Sequence, residues 1–427
     1  MSSVTASLLR QTRRGLTALS GRRTVDLSRL DRVPARLTWP LQRDGVDPVA
    51  RLAQVREQEP VHRLTSFFGL KVWMVTDPAV ARAVLADQTD FSNDIRPFVG
   101  ARGSTTTGDV GGLGFTDPPE HTRLRRLLTP QFTMRRLERL RPRVADIVER
   151  RLDEMEGRGP VVDLVEQFAF PIPFQVICEL LGLPDDDRET FRQLGSARFD
   201  VSRGGYGTFG AVSQSRSFLM EATRRQRSDP GDGLIGDIIR AEGDAISDFD
   251  LAGLADGVFT GGLETSASML ALGTAVLLEH PEDFRALATR PERVDPTVEE
   301  LLRYLSVVQI AFPRFARRDL VLGDRRVSKG DVVICHLAGA NRAGADGDRY
   351  DPGRRPGAHL AFGHGFHRCV GAELARMELR TAFPALAARF PDLELESRLD
   401  ALALRQLSIV FGVEAMQVRL APPSRPA

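Results

Sequence analysis

The sequence predicts a single, mainly α-helical domain with a minor β portion. Three observations carry that expectation. Helical patterning with caps dominates the chain. Stretches rich in β-branched and aromatic residues are few, at 70–75, 307–331 and 407–412. No internal repeat occurs, and no linker is long or polar enough to divide the chain. The domain is expected over 36–421, between a disordered tail at 1–35 and a Pro-rich tail at 422–427.

Composition supports this. A chain of 427 residues that is 42% hydrophobic can bury a large core, which excludes wholesale disorder. The 58 Lys and Arg against 57 Asp and Glu leave a net charge of +1, so no global field advertises nucleic acid or a membrane surface. Three cysteines (Cys178, Cys335, Cys369) are an odd number and too few to staple a fold this large, which points to the reducing cytoplasm. No run of about 18 apolar residues marks a membrane span. Residues 1–23 lack both acidic side chains and the apolar stretch of a signal peptide, and read as a tail rather than a transit peptide.

In chain order, Asp47-Pro48 and Asp77-Pro78 each offer an N-cap followed by proline at the first helical position. Leu70–Val75 between them reads as a strand, and 90–116, rich in Gly, Thr and Asp, as a long functional loop. Helices follow at 134–155, 173–181, 187–199 and 210–227, then one far longer at 247–280 with two glycines in its middle. After the β-like 307–331 come a Gly/His loop at 360–368, a helix at 370–388 and a short β segment at 407–412.

The segment Phe362-Gly363-His364-Gly365-Phe366-His367-Arg368-Cys369-Val370-Gly371 carries the chemistry. A cysteine just before a helix sits among unpaired N–H groups at the positive dipole end, which stabilises thiolate. Gly363, Gly365 and Gly371 clear space for something flat and large to approach the backbone. Cys178, inside an apolar helix, reads as a small buried hydrophobe. A zinc site using His359, His364, His367 and Cys369 is an alternative, although thiolate zinc sites usually bring paired cysteines.

On these residues the sequence resembles the cytochrome P450 family of haem-thiolate monooxygenases. Phe362, Gly365, Cys369 and Gly371 match the family's Phe-x-x-Gly-x-x-x-Cys-x-Gly loop. The resemblance implies a triangular helical prism with the long helix over the haem, Cys369 as axial ligand of the iron, and Phe362 shielding its sulfur. Further motifs occur in family order. Glu300 and Arg303 match Glu-x-x-Arg, implied to be a buried structural pair. Gly261-Gly262-Leu263-Glu264-Thr265 matches the acid–alcohol segment, which implies a local helix widening beside a ligand. It also implies proton delivery by Glu264 and Thr265 for dioxygen activation. His121 and Arg125 share a helix face, and with Arg314 and His367 they are implied to hold the haem propionates. The resemblance also lines a substrate pocket with 90–116, 199–209, Val258, Gly261, Val307, Ile310, Ala311, Val410 and Phe411. Ala343 departs from the family, standing after Asn341-Arg342 where Asp is common.

The expected cofactor is haem b (iron protoporphyrin IX), with dioxygen as co-substrate and electrons from NAD(P)H through a separate ferredoxin and ferredoxin reductase. A run of eight arginines from Arg123 to Arg143, with Glu138 as its one local acid, falls where the family docks its donor. The substrate is expected to be a hydrophobic small molecule that is hydroxylated or epoxidised, in natural-product biosynthesis or catabolism. Rival readings are oxidative coupling or peroxide-driven chemistry on the same centre, a non-catalytic haem sensor, and a zinc hydrolase.

Overall fold

The computed structural model describes residues 38–67, 70–94, 113–184, 204–355 and 357–420, with 67 and 204–214 as backbone only. The expected tails, the helix at 187–199, the stretch 199–203 and most of the loop 90–116 lie outside the described residues. The main helices are α1 (Pro78–Ala86), α2 (Glu120–Leu128), α3 (Met134–Glu156), α4 (Pro171–Leu181), α5 (Gly204–Ser228), α6 (Asp248–Leu278), α7 (Val294–Leu305) and α8 (Ala372–Arg389). Asp77 caps α1 as expected, accepting from the Ala79 and Val80 amides. Ser247 caps α6 in the same way, through the Asp250 amide.

The central element is α6. It is apolar on nearly every side, and α4, α5, α7 and α8 pack around it. Its length and composition would suffice to cross a membrane, but 78% of its most apolar stretch is buried in this core. The helix is regular through Gly261 and Gly262, so the expected widening does not occur. Gly262 has a packing reason instead: a Cβ there would stand 2.9 Å from Cδ1 of Ile177 on α4. A π-helical turn does form, at Val165–Ala169, where the chain packs against α6.

The main sheet has five strands: β1 (Val61–Phe67), β2 (Leu70–Val75), β3 (Phe91–Ser92), β4 (Arg314–Ala316) and β5 (Val332–Cys335). Their order is β1-β2-β5-β4-β3, with β2 and β5 parallel and Val72 paired to Val332. Asp331 pins that junction, accepting from the Trp73 indole at 3.0 Å and the Lys71 amide at 3.1 Å. The β-like stretch 307–331 resolves into β4 and a hairpin, Leu320–Leu322 with Arg325–Val327, turning at Gly323 with φ +59°.

Two expectations fail locally. Asp47-Pro48 does not start a helix; it pairs with Arg43–Asp44, and the helix begins at Ala50. The Asp47 carboxylate accepts instead from Arg342 and from the Tyr304 hydroxyl, each at 2.9 Å. Arg342 is fully buried, so its need for a counter-charge outweighs a helix's need for a cap. The segment 407–412 forms no strand, only isolated bridges such as Val308 to Val410. Its neighbouring segment is shared, because Ile310 bridges to His336.

Candidate functional site

The cysteine loop closes against α1. Gly365 has φ +72°, and a Cβ there would lie 2.5 Å from the Leu85 carbonyl oxygen and 2.7 Å from Ala86 Cα. No other residue fits that approach. The Cys369 amide donates to the Phe362 carbonyl at 2.9 Å, and α8 begins three residues later at Ala372. A Cβ on Gly371 would sit 4.0 Å from the Cys369 sulfur, so glycine leaves that flank open. Burial pushes the thiol up; the Gly371 amide and the charges of Arg125, Arg368 and Arg376 pull it down without overcoming burial. A metal cation on the sulfur would supply the missing compensation.

Beside this loop, among the described residues, the structure gathers buried imidazole and guanidinium nitrogens that have no hydrogen-bond partner. His121 (α2) and His367 lie with ring centroids 4.2 Å apart. The Nε2 atoms of both, and Nε of Arg314 on β4, are buried without a hydrogen-bond partner. Arg314 spends one N–H on the Phe312 carbonyl at 2.9 Å. Burial, then the charges of His121, Arg314 and Arg125, drives His367 down to about 3. Burial and Arg125 lower His121 as well, and Arg125 and Arg314 are themselves lowered, chiefly by burial. Such crowding of positive and donor groups is what an anionic, multi-oxygen ligand relieves.

On α6, the Thr265 hydroxyl donates to the Gly261 carbonyl at 2.6 Å. Gly261 is exposed, and a Cβ there would meet nothing within 4 Å. Glu264 is mostly buried and paired with Arg405 at 2.5 Å; Arg405 also donates to Glu414 at 3.0 Å. A cavity of about 20 Å³, room for one water, is walled by Glu264, Ser268 and Arg405 among apolar neighbours. Two residues after Glu264, Ser266 hydrogen-bonds Glu378 of α8, a fully buried carboxyl raised by burial to about 8. Sequence reading passed over both Arg405 and Glu378. For Glu378 a signal existed, since it continues the apolar stripe of Leu374 and Ala382.

The remaining candidates divide. Glu300 and Arg303 form a fork at 2.7 and 2.8 Å. Arg303 also donates to the carbonyls of Asn341, Gly347 and Arg349, while Glu300 accepts the Asp351 amide, so the pair braces the fold. Among the pocket residues, Gly261, Ile310 and Ala311 are accessible. Val258, Val307 and Val410 are buried, and Phe411 is fully buried beneath the Arg43 guanidinium, 4.4 Å from its ring centre. Phe312, 43% exposed and 4.7 Å from Phe115, is an aromatic neighbour the sequence reading missed. The basic run is less bare than its sequence suggests: Arg123 pairs with Glu120 and Asp250, and Arg136 with Asp237. Arg126, Arg135, Arg139 and Arg143 have no ion-pair partner among the described residues.

The zinc alternative finds no support. Among the described residues no three His, Cys, Asp or Glu side chains converge on one point, and His359 is taken by Glu299 at 3.1 Å. A polar cleft of about 480 Å³ around His280, Asp283 and Tyr350 shares no residue with the cysteine loop.

The family model for cytochrome P450 matches residues 48–197 and 292–401. The chain is 39% identical to cytochrome P450 165B3 of Amycolatopsis orientalis, over 88% of its own length and 97% of the relative's. It is 37% identical to the mycinamicin IV hydroxylase/epoxidase of Micromonospora griseorubida, over 82% and 90%. Among solved structures, OxyE, a cytochrome P450 involved in teicoplanin biosynthesis, superposes with TM-score 0.80 at 38% identity, covering 89% of this chain and 99% of that one.

Proposed function

This chain belongs to the cytochrome P450 family of haem monooxygenases, and from that premise we propose that it inserts oxygen into a bulky hydrophobic intermediate of natural-product biosynthesis. The observation that carries the site assignment is the set of buried, unpartnered nitrogens of His121, His367 and Arg314 beside the Cys369 loop. Two haem propionates would satisfy them, so the residues present fit haem b. Cys369 would ligate the iron, with Arg125, His121, Arg314 and His367 on the propionates. Phe362 would cover the sulfur, while Gly365 and Gly371 keep clearance.

Haem, when bound, supplies the oxidising chemistry that the side chains lack. The chain's own part is to hold the substrate over Gly261 and to move protons. Thr265 would turn its hydroxyl from the Gly261 carbonyl toward the cleft, and Glu264, anchored by Arg405, would replenish its proton from solvent. Electrons would arrive from NAD(P)H through a ferredoxin reductase and a ferredoxin. The donor would dock over α2 and α3, where Arg126, Arg135, Arg139 and Arg143 are free to receive an acidic surface. The reading places the enzyme in the cytoplasm. The names of the mycinamicin and teicoplanin relatives support a biosynthetic substrate.

The test has two steps. Reduced protein with carbon monoxide should absorb at the position of thiolate ligation, and Cys369→Ser should abolish that band; its retention would falsify the ligand assignment. Turnover under isotopically labelled dioxygen then separates the chemistries. A monooxygenase product carries the label, whereas oxidative coupling gives an unlabelled product that has lost two hydrogens.

A further inference from the structure

Behind the cysteine loop lies a charged chain that the proposed mechanism does not use. Arg376, on α8, holds its guanidinium 4.6 Å from the centre of the Phe362 ring. Its Nε and Nη2 grip the two oxygens of Glu299 at 2.6 and 2.9 Å, and its Nη1 donates to Glu373 at 2.9 Å. Glu299 also accepts from Nε2 of His359 at 3.1 Å. The proton is fixed on that nitrogen because Nδ1 of His359 accepts the Ala361 amide. The His359 ring stands 6.1 Å from Phe362, so one fork and one imidazole flank the aromatic side chain expected to cover the sulfur.

We propose that Arg376, aimed by Glu299 at the Phe362 ring, is a positioning residue that sets the electron affinity of the iron bound by Cys369. The proposal rests on the haem-thiolate reading. Reduction adds negative charge, which a fixed cation nearby favours, and a fixed anion on that cation offsets part of the effect. The Arg376 side chain is only 12% exposed, so solvent screens it less than a surface arginine. A bidentate fork also prevents the guanidinium from swinging away from the ring.

The electrostatic role makes a prediction that a packing role does not. In the full haem-loaded protein, Arg376→Leu should lower the ferric/ferrous midpoint potential and Glu299→Gln should raise it. Each should change the reduction equilibrium about threefold to tenfold, tenfold being about 59 mV for one electron. Arg376→Lys, which keeps the charge, should stay close to wild type. Potentials would be read by spectroelectrochemical titration at fixed ionic strength, alongside the carbon monoxide band. Shifts of one sign in both variants, or none, overturn the proposal while leaving the haem-thiolate reading intact. If Arg376→Leu does not fold, an unshifted Glu299→Gln overturns it alone. A wild-type protein without the thiolate-type band overturns the reading itself.

Discussion

The Glu378 carboxyl gives a stability signature with a sign opposite to most acids. It is fully buried between α8 and α6, and desolvation raises it from 4.5 to about 8 against the hydrogen bond from Ser266. Below pH 4.5 the group is protonated in both native and unfolded chains and contributes no pH dependence. Between pH 4.5 and 8 the unfolded chain has released its proton while the native one keeps it, so native stability falls as pH rises. The slope is about 1.4 kcal/mol per pH unit, which accumulates to about 3 kcal/mol at pH 7 and levels off above pH 8. Glu378→Gln removes the titration while keeping an oxygen that accepts from Ser266. Any fixed cost of the amide is independent of pH, so the readout is the slope. Urea unfolding of wild type and variant at pH 5, 6, 7 and 8 should give curves that diverge with pH, the variant gaining about 1 kcal/mol per unit. Parallel curves across that range would show that Glu378 is solvated or charged in the native protein.

Other substitutions test the site piece by piece. Gly365→Ala forces a left-handed residue against Leu85 and Ala86, costing about 1–2 kcal/mol for the backbone alone; haem content after purification should fall with it, and full occupancy would count against the tight closure. Thr265→Ala should leave substrate affinity nearly unchanged but divert electrons, lowering product per NAD(P)H oxidised; a rate-limiting proton relay loses about 10²–10⁴-fold, and an unaltered ratio makes Thr265 a packing residue. Arg405→Leu removes the cation that pairs with the mostly buried Glu264 carboxylate, with a cost on the order of 2 kcal/mol after discounting for partial exposure. Thermal unfolding measures that cost, and no loss means Glu264 has other compensation.

What the sequence disclosed here was chiefly local. The cysteine loop, the Glu300–Arg303 pair and the His121–Arg125 face are set by spacings of a few residues, and each reads directly. Partners brought in from afar do not. Glu264 reads from its place beside Thr265 as a relay of protons from solvent, but its partner Arg405, 141 positions away, does not read from the sequence. The basic run was read as nearly unopposed because Asp237 and Asp250 are distant in sequence and adjacent in space. Gly262 reads in sequence as a device of its own helix, whereas Ile177 of another helix explains it. Tertiary proximity decided each case, and no periodicity encodes it.

The parallel pairing of β2 with β5 and the seating of Gly365 on α1 join segments made early and late in synthesis. Arg82 bonds the carbonyl of Ala358, 276 residues further along. A ribosome adding about 5–20 residues per second takes roughly 15–60 s to bridge that interval. During that time the nascent chain presents β2 paired only with β1, and α1 without the loop it must receive. Capture of a haem by Cys369 would therefore wait until the cysteine loop has been made. Chains truncated before the cysteine loop should emerge colourless, and those that stop before β5 should be prone to clump through the open edge of β2. Preparative yield would then depend more on chaperone capacity during elongation than on how early haem is supplied.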